Sequence, residues 1–212
     1  MGIVTSASLA GCVLCPRLAA HRLVVQREFP HYHARPVGSW GSPRARILIV
    51  GLAPGLHGAY RTGKAFVGDA SGRFLFEALH SSGLATDPEP ENARLINVQI
   101  TNAVKCLPPA NSPITAEVST CVRYLRSEIE TFCPLGAIRP RAIVSLGGVA
   151  YRAVGQVLRQ KGAGFKHARI QVEKNLLHIA SFHPSRLNVN TKRLTREMLM
   201  DVLVQAKDFV ET

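Results

Sequence analysis

His183 stands in SFHPS at the end of an apolar run, and Pro184 behind it restrains the backbone. A histidine so placed either donates to the oxygen of a leaving group or simply ties down a loop. Asn102, in TNAV, offers an acceptor and a pair of donors suited to reading an amide edge, although alone it reads as a turn residue. GLAPGLHGAYRTGKAFVGDASG, from Gly51 to Gly72, is rich in glycine and poor in large apolar groups. That composition suits a long turn, or a backbone brought close to a small planar or anionic ligand. It is neither G-x-x-x-x-G-K-[ST] nor G-x-G-x-x-G, so neither a phosphate loop nor a dinucleotide fingerprint is present. Phe66 in this polar stretch either stacks on a base or fills core. Asp69 lies just ahead of Ser71, the expected cap of a helix, and is itself either a cap or a carboxylate for chemistry.

Five cysteines are an odd number for a disulfide framework. Cys12 and Cys15 form C-x-x-C, and Cys106, Cys121 and Cys133 lie far along the chain. Two local ligands plus two distant ones suit zinc or an iron–sulfur cluster. A redox pair should follow a strand, and this one precedes every expected strand. A buried, inert pair is the remaining reading.

These residues need elements to position them. Expected strands cover Arg46–Gly51, Leu95–Thr101, the RAIVSLGG segment, Arg169–Val172 and Leu177–Phe182. Expected helices cover Leu14–Gln26, the stretch from Ser71 to Gly83, Thr115–Phe132, VAYRAVGQVLR and Thr195–Val210, with Glu28–Arg44 as loop. The alternation predicts a single three-layer α/β/α domain over residues 1–212 with a central, mostly parallel sheet. GLAPGLHG, TNAVKC, SLGG and SFHPSRLN then all fall at carboxyl ends of strands, the edge where open α/β sheets bind ligands.

The chain has 212 residues, 46% of them hydrophobic, enough to bury a sizeable core. Its 26 Lys plus Arg against 14 Asp plus Glu leave a formal charge of +12, with Arg dominant. That balance favours a phosphate-rich partner, and nucleic acid leads. The N-terminus carries no basic residue before its apolar stretch and so does not read as a secretory signal. Met1–Ser6 matches M-G-x-x-x-[ST], a pattern that short apolar N-termini meet by chance. Apolar runs such as Ile47–Val50 are too short for a bilayer. The expectation is a soluble, cytoplasmic protein with no membrane partner.

The order of these segments resembles the uracil-DNA glycosylase superfamily, and most closely its type-5 branch with an iron–sulfur cluster. The resemblance runs from Cys12 to about Met198. It is carried by Cys12-x-x-Cys15, GLAPGLHGAYRTGKAFVGDASG, TNAVKCLPPAN, CVRYL beginning at Cys121, SLGGVAY and SFHPSRLN. The type-4 branch carries a Glu directly after the first Gly of its first motif. Leu52 occupies that place here, as in type 5.

The resemblance implies a DNA-repair enzyme that hydrolyses the N-glycosidic bond of uracil and leaves an abasic site. It implies that Cys12, Cys15, Cys106 and Cys121 ligate a [4Fe–4S] cluster, which would pin segment 1–27 to the helix after Pro113, while Cys133 stays an ordinary thiol. Phe66 would stack on the extruded base, Asn102 would bond its Watson–Crick edge, and the backbone of Gly51, Leu52 and Ala53 would complete the pocket. His183 would face the uracil O2; one such donor is worth roughly 3–4 kcal/mol. Asp69 would polarise water or stabilise the sugar cation. Arg186 and Leu187 are expected to fill the gap left by the flipped base, Arg186 also meeting a phosphate. With Leu52 in place of a carboxylate, deaminated purines such as hypoxanthine are expected as further substrates. A stand-alone, monofunctional monomer is expected. A non-catalytic nucleic-acid-binding module with a structural metal centre fits the charge and cysteines equally, and a redox C-x-x-C protein is a third reading.

Overall fold

ILIVG, from Ile47 to Gly51, is buried at every position, as a strand covered on both faces must be. A computed structural model, which describes residues 9–134, 136–160 and 164–212, places this strand inside a six-stranded sheet. The Met1–Ser6 pattern lies outside the described residues. In chain order the strands are β1 Trp40–Gly41, β2 Ile47–Gly51, β3 Val98–Asn102, β4 Arg141–Leu146, β5 Ile170–Glu173 and β6 Leu176–Ser181. Across the sheet they run β1-β3-β2-β4-β6-β5. The inner four are parallel, and the two edge strands are antiparallel to their neighbours. The mostly parallel α/β sheet read from the sequence is therefore present.

The helices are α1 Pro16–Glu28, α2 Ala59–Thr62, α3 Ala70–Ser81, α4 Thr115–Phe132, α5 Gly148–Leu158, α6 Arg186–Asn190 and α7 Arg196–Glu211. Period-two alternation along the strands sorts the core into two faces. Ile47, Ile49, Val98, Ile100 and Val144 pack with Leu75 and Leu79 of α3 and Leu199 and Leu203 of α7. Leu48, Val50 and Ile143 pack with Leu125 and Ile129 of α4 and Val154 of α5. Burying each such side chain contributes about 1.5–3 kcal/mol.

Four local expectations change. The cap of α3 is Asp69, not Ser71: its side chain accepts from the Gly72 N–H at 2.9 Å, and Ser71 lies inside the helix. α1 begins at Pro16 rather than Leu14, because proline at the first helical position gives up no hydrogen bond. The stretch expected as loop contains Trp40–Gly41, paired with Ile100 and Gln99. Arg186 and Leu187 lie on a short helix capped by Ser185. Among the described residues no helix is long and apolar enough to cross a membrane.

Candidate active site

The loops after β2, β3 and β6 converge on a cavity of about 560 Å³. Leu52, Ala53, Phe66, Asp69, Asn102, His183 and Arg186 all line it. Gly51 stands behind them, and its missing side chain shapes the pocket. It ends β2 opposite Asn102, and a Cβ there would lie 2.4 Å from Asn102 Oδ1 and 2.5 Å from Phe66 Cε2. Only glycine lets the ring and the carboxamide share that space. The Gly51 and Leu52 carbonyls accept from the N–H groups of Ala103 and Val104, each at 2.9 Å, which ties the first motif to the second.

Asn102 is 2% exposed, yet its Oδ1 is buried with no hydrogen-bond partner. An unpaired buried acceptor costs about 1–3 kcal/mol, so a protein keeps one where a ligand completes it. Phe66 sits at φ +61°, a left-handed conformation rare for a bulky residue. Gly72 permits it, since a Cβ there would meet the Phe66 carbonyl oxygen at 2.1 Å. The Phe66 ring is buried and lies 5.9 Å from the His183 ring, tilted by 35°.

Asp69 divides its two oxygens. Oδ1 caps α3, while Oδ2 rests against the first motif, where a Cβ on Gly58 would stand 2.1 Å from it and one on Gly55 3.2 Å. Capping and a free carboxylate oxygen thus coexist in one side chain. His183 is held by its backbone: its carbonyl accepts from Asn188 Nδ2 and from the Ser185 N–H, both at 2.8 Å. Burial pushes its pKa down to about 4, against the smaller opposing pull of the Asp69 charge, so the imidazole is neutral at pH 7. It can donate a hydrogen bond while uncharged.

Leu187 is the expected residue that stays outside. It is 72% exposed and does not line the cavity, although Arg186 beside it does. His57 and Asn111 line the cavity without having stood out in the sequence. His57 occupies the first motif and shares a 2.9 Å hydrogen bond with the Tyr32 hydroxyl, a contact across twenty-five residues that no local pattern reports.

A family model described as the uracil DNA glycosylase superfamily matches residues 39–206, which hold every one of these cavity residues. The chain belongs to the uracil-DNA glycosylase superfamily. It is 45% identical over 206 residues to a type-5 uracil-DNA glycosylase of Pyrobaculum aerophilum, covering 93% of this chain and 88% of that one. To the type-5 uracil-DNA glycosylase of Thermus thermophilus it is 42% identical over 215 residues, 94% of each chain. A type-4 uracil-DNA glycosylase of Thermotoga maritima is 29% identical over 216 residues, 98% of this chain and 94% of that one.

The superfamily match begins after the first two cysteines, so their placement rests on geometry alone. Cys12, Cys15, Cys106 and Cys121 line one small cavity with Leu9, Leu18 and Tyr124. Cys15 caps α1, Cys121 lies on α4, and the Lys105 N–H donates to Cys121 Sγ at 3.3 Å. Burial, then the neighbouring Cys121 and Cys12, pushes the Cys106 thiol up to about 12, and burial takes Cys121 to about 11. Burial also raises the Cys15 thiol, and a cation set among these sulfurs would favour their thiolate forms. Among the described residues no three His, Cys, Asp or Glu side chains converge closely enough to hold a single metal ion. Four soft sulfur donors lining one cavity are the donor set of zinc or of an iron–sulfur cluster.

The N-terminal segment is also fastened directly. Arg17 of α1 reaches Glu117 of α4 through two hydrogen bonds, at 2.8 and 2.7 Å. Burial works to raise the Glu117 pKa, but Arg17 and the Ile114 N–H outweigh it and hold the carboxyl below its ordinary value. Residues 1–8 of the expected pinned segment lie outside the described residues. Cys133, at the end of α4, packs beside the core and stays apart from the other four.

Proposed function

We propose that this protein is a monofunctional uracil-DNA glycosylase of the type-5 kind, a base-excision repair enzyme that hydrolyses the bond between uracil and deoxyribose. One observation carries the reading: the buried, unpartnered Oδ1 of Asn102, beside the Phe66 ring in the cavity. That acceptor requires an N–H on a flat ring, which an extruded uracil supplies at N3. A base reaches it only out of the stack, at a cost of a few kcal/mol.

In the reaction the C1′–N1 bond breaks and its electron pair leaves with the uracil. Water then bonds to C1′, and one of its protons ends on the base. Negative charge gathers on the uracil oxygens, and His183 as a neutral donor stabilises it at O2. Asp69 Oδ2 serves the opposite pole, orienting the water and stabilising the sugar cation. Arg186 holds a phosphate at the rim, and Leu187, exposed beside it, enters the space that the base vacates. The partner is duplex or single-stranded DNA containing uracil, and the protein works as an intracellular monomer.

Leu52 supports a wider substrate range. It places an apolar side chain where the type-4 branch has a carboxylate, and a roomy cavity with the Asn102 acceptor at its wall suits hypoxanthine as well as uracil. Cys12, Cys15, Cys106 and Cys121 hold a [4Fe–4S] cluster whose contribution is structural, joining the N-terminal segment to α4.

The test incubates the protein with duplexes carrying uracil, hypoxanthine or normal bases and reads alkali-labile strand breaks. Breaks at uracil are expected, and their absence, with intact DNA binding, would favour a non-catalytic binding module. Uracil released while hypoxanthine stays untouched under matched conditions removes the claim of breadth.

A further inference from the structure

Behind the cavity the fold buries a charge. Lys105, in TNAVKC, is fully buried, and its Nζ donates to Thr101 Oγ1 at 2.6 Å, to the main-chain carbonyl of Asn102 at 2.7 Å and to Glu128 Oε2. Glu128, on α4, uses both oxygens. Oε2 also accepts the Thr101 hydroxyl at 2.9 Å, and Oε1 accepts the Ser39 N–H at 3.0 Å. Five groups from three separate parts of the chain, Ser39, the stretch from Thr101 to Lys105 and Glu128, thus join in one network at the end of β3.

A buried ion pair is a weak device for stability, because desolvating both charges offsets most of their attraction. Apolar side chains of similar size would join β3 to α4 as well. They would not hold a carbonyl oxygen in place. Asn102 ends β3; the Ala103 and Val104 N–H groups still reach β2 and the loop after it, whereas the Asn102 carbonyl is met by the Lys105 ammonium. The Lys105 N–H is itself tied to Cys121 Sγ, so the turn from Asn102 to Lys105 is gripped at both ends.

We propose that Lys105 and Glu128 are positioning residues for base recognition, fixing through the Asn102 carbonyl the main chain from which the Asn102 carboxamide meets the base. The proposal rests on the base-pocket reading above. Neither residue lines the cavity, and neither touches substrate.

The experiment compares wild type, Glu128→Gln and the paired Lys105→Met/Glu128→Leu variant. Four quantities are read: Tm, single-turnover uracil release from a saturating duplex, inhibition by free uracil, and affinity for an undamaged duplex. Glu128 is 16% exposed at its side chain, so Glu128→Gln keeps the fold if the paired variant does not. Uracil release is expected to fall about tenfold in the paired variant, the scale of losing a donor to a buried carbonyl, and less in Glu128→Gln. The inhibition constant for free uracil rises by a similar factor, while Tm and undamaged-duplex affinity stay close to wild type. Release and uracil inhibition at wild-type levels in both variants overturn the proposal. A loss of release that vanishes once rates are corrected for the folded fraction overturns it too. A wild type that neither releases nor binds uracil overturns the pocket reading, and this proposal with it.

Discussion

Asp69 and Gly58 approach so closely that a methyl group on Gly58 would stand 2.1 Å from Asp69 Oδ2. The same carboxylate caps α3 through its other oxygen. Asparagine caps a helix as well as aspartate does, so Asp69→Asn removes charge without removing the cap. Uracil release is expected to drop by about 10²–10³ in that variant, the scale of losing one preorganised electrostatic group. Stability should stay within about 1 kcal/mol of wild type, as urea melts would report. Gly58→Ala, which crowds the Asp69 side chain from Oδ2 to Cβ, should slow release in the same direction. Wild-type rates in both variants would show Asp69 to be only a cap.

Gly51→Ala puts a methyl group into the space shared by Asn102 Oδ1 and Phe66. Crowding of this kind costs about 1–3 kcal/mol, so the variant should melt lower and bind free uracil more weakly. Asn102→Ala relieves an orphaned acceptor and should hold its Tm while losing release. The pairing of a stability loss at one site with none at the other is checked by thermal melts beside single-turnover assays.

Acid should destabilise the protein through its histidines. His178 is fully buried, donates from Nδ1 to Gln160 Oε1 at 2.7 Å and accepts from the Ser145 hydroxyl at 2.8 Å, and burial pushes its pKa down to about 4. The unfolded chain takes up that proton near pH 6.5, so between 6.5 and 4 it binds more protons than the folded one. Stability is therefore complete above about pH 6.5 and is lost as pH falls toward 4, by about 2 kcal/mol at pH 5 for His178. His183 adds a loss of the same sign. Urea melts at neutral and mildly acid pH measure the slope. The excision rate should show no step near pH 6.5, since His183 acts uncharged; a step there would assign the work to an imidazolium.

Arg186 and Leu187 should separate by salt. Arg186→Ala is expected to lower the slope of log affinity against log salt by about 0.9, the value of one phosphate contact. Leu187→Ala should leave that slope alone and slow excision from duplex more than from single strands. Fluorescence titrations across a salt series test both.

Cys106→Ala should remove a brown visible absorbance and the iron bound per protein, while Cys133→Ala leaves both. Arg17 and Glu117 should keep α1 docked on α4 in the iron-free protein, so limited proteolysis is expected to spare α1 until that pair is also broken.

Where the cavity residues rode on local patterns, their meeting was legible. Buried strands announced themselves as apolar runs, glycine-rich and polar segments fell at their carboxyl ends, and Asn102, His183, Phe66 and Asp69 met in one cavity. Capping by Asp69 was among the sequence readings, but Ser71 is an equally good cap two residues on, and only the folded backbone, with the Gly72 N–H on Asp69 Oδ1, decides between them. Lys105 escaped for a deeper reason. A lysine between Val104 and Cys106 reads as a surface charge on a turn, and its partner Glu128 comes twenty-three residues later on the outer layer. The short helix at Arg186 was hidden because five residues carry too little periodicity to declare one.

His183 follows β6, the strand that closes the parallel set, whereas Gly51 and Asn102 come from strands made far earlier in synthesis. Non-local parallel pairing is slow to form, because each strand waits for a crossover to return. A chain still emerging from the ribosome therefore carries Gly51, Phe66 and Asn102 well before it carries His183. The cavity is complete only when the loop after the final strand has closed over it, so the site is assembled last although its first residues are made early.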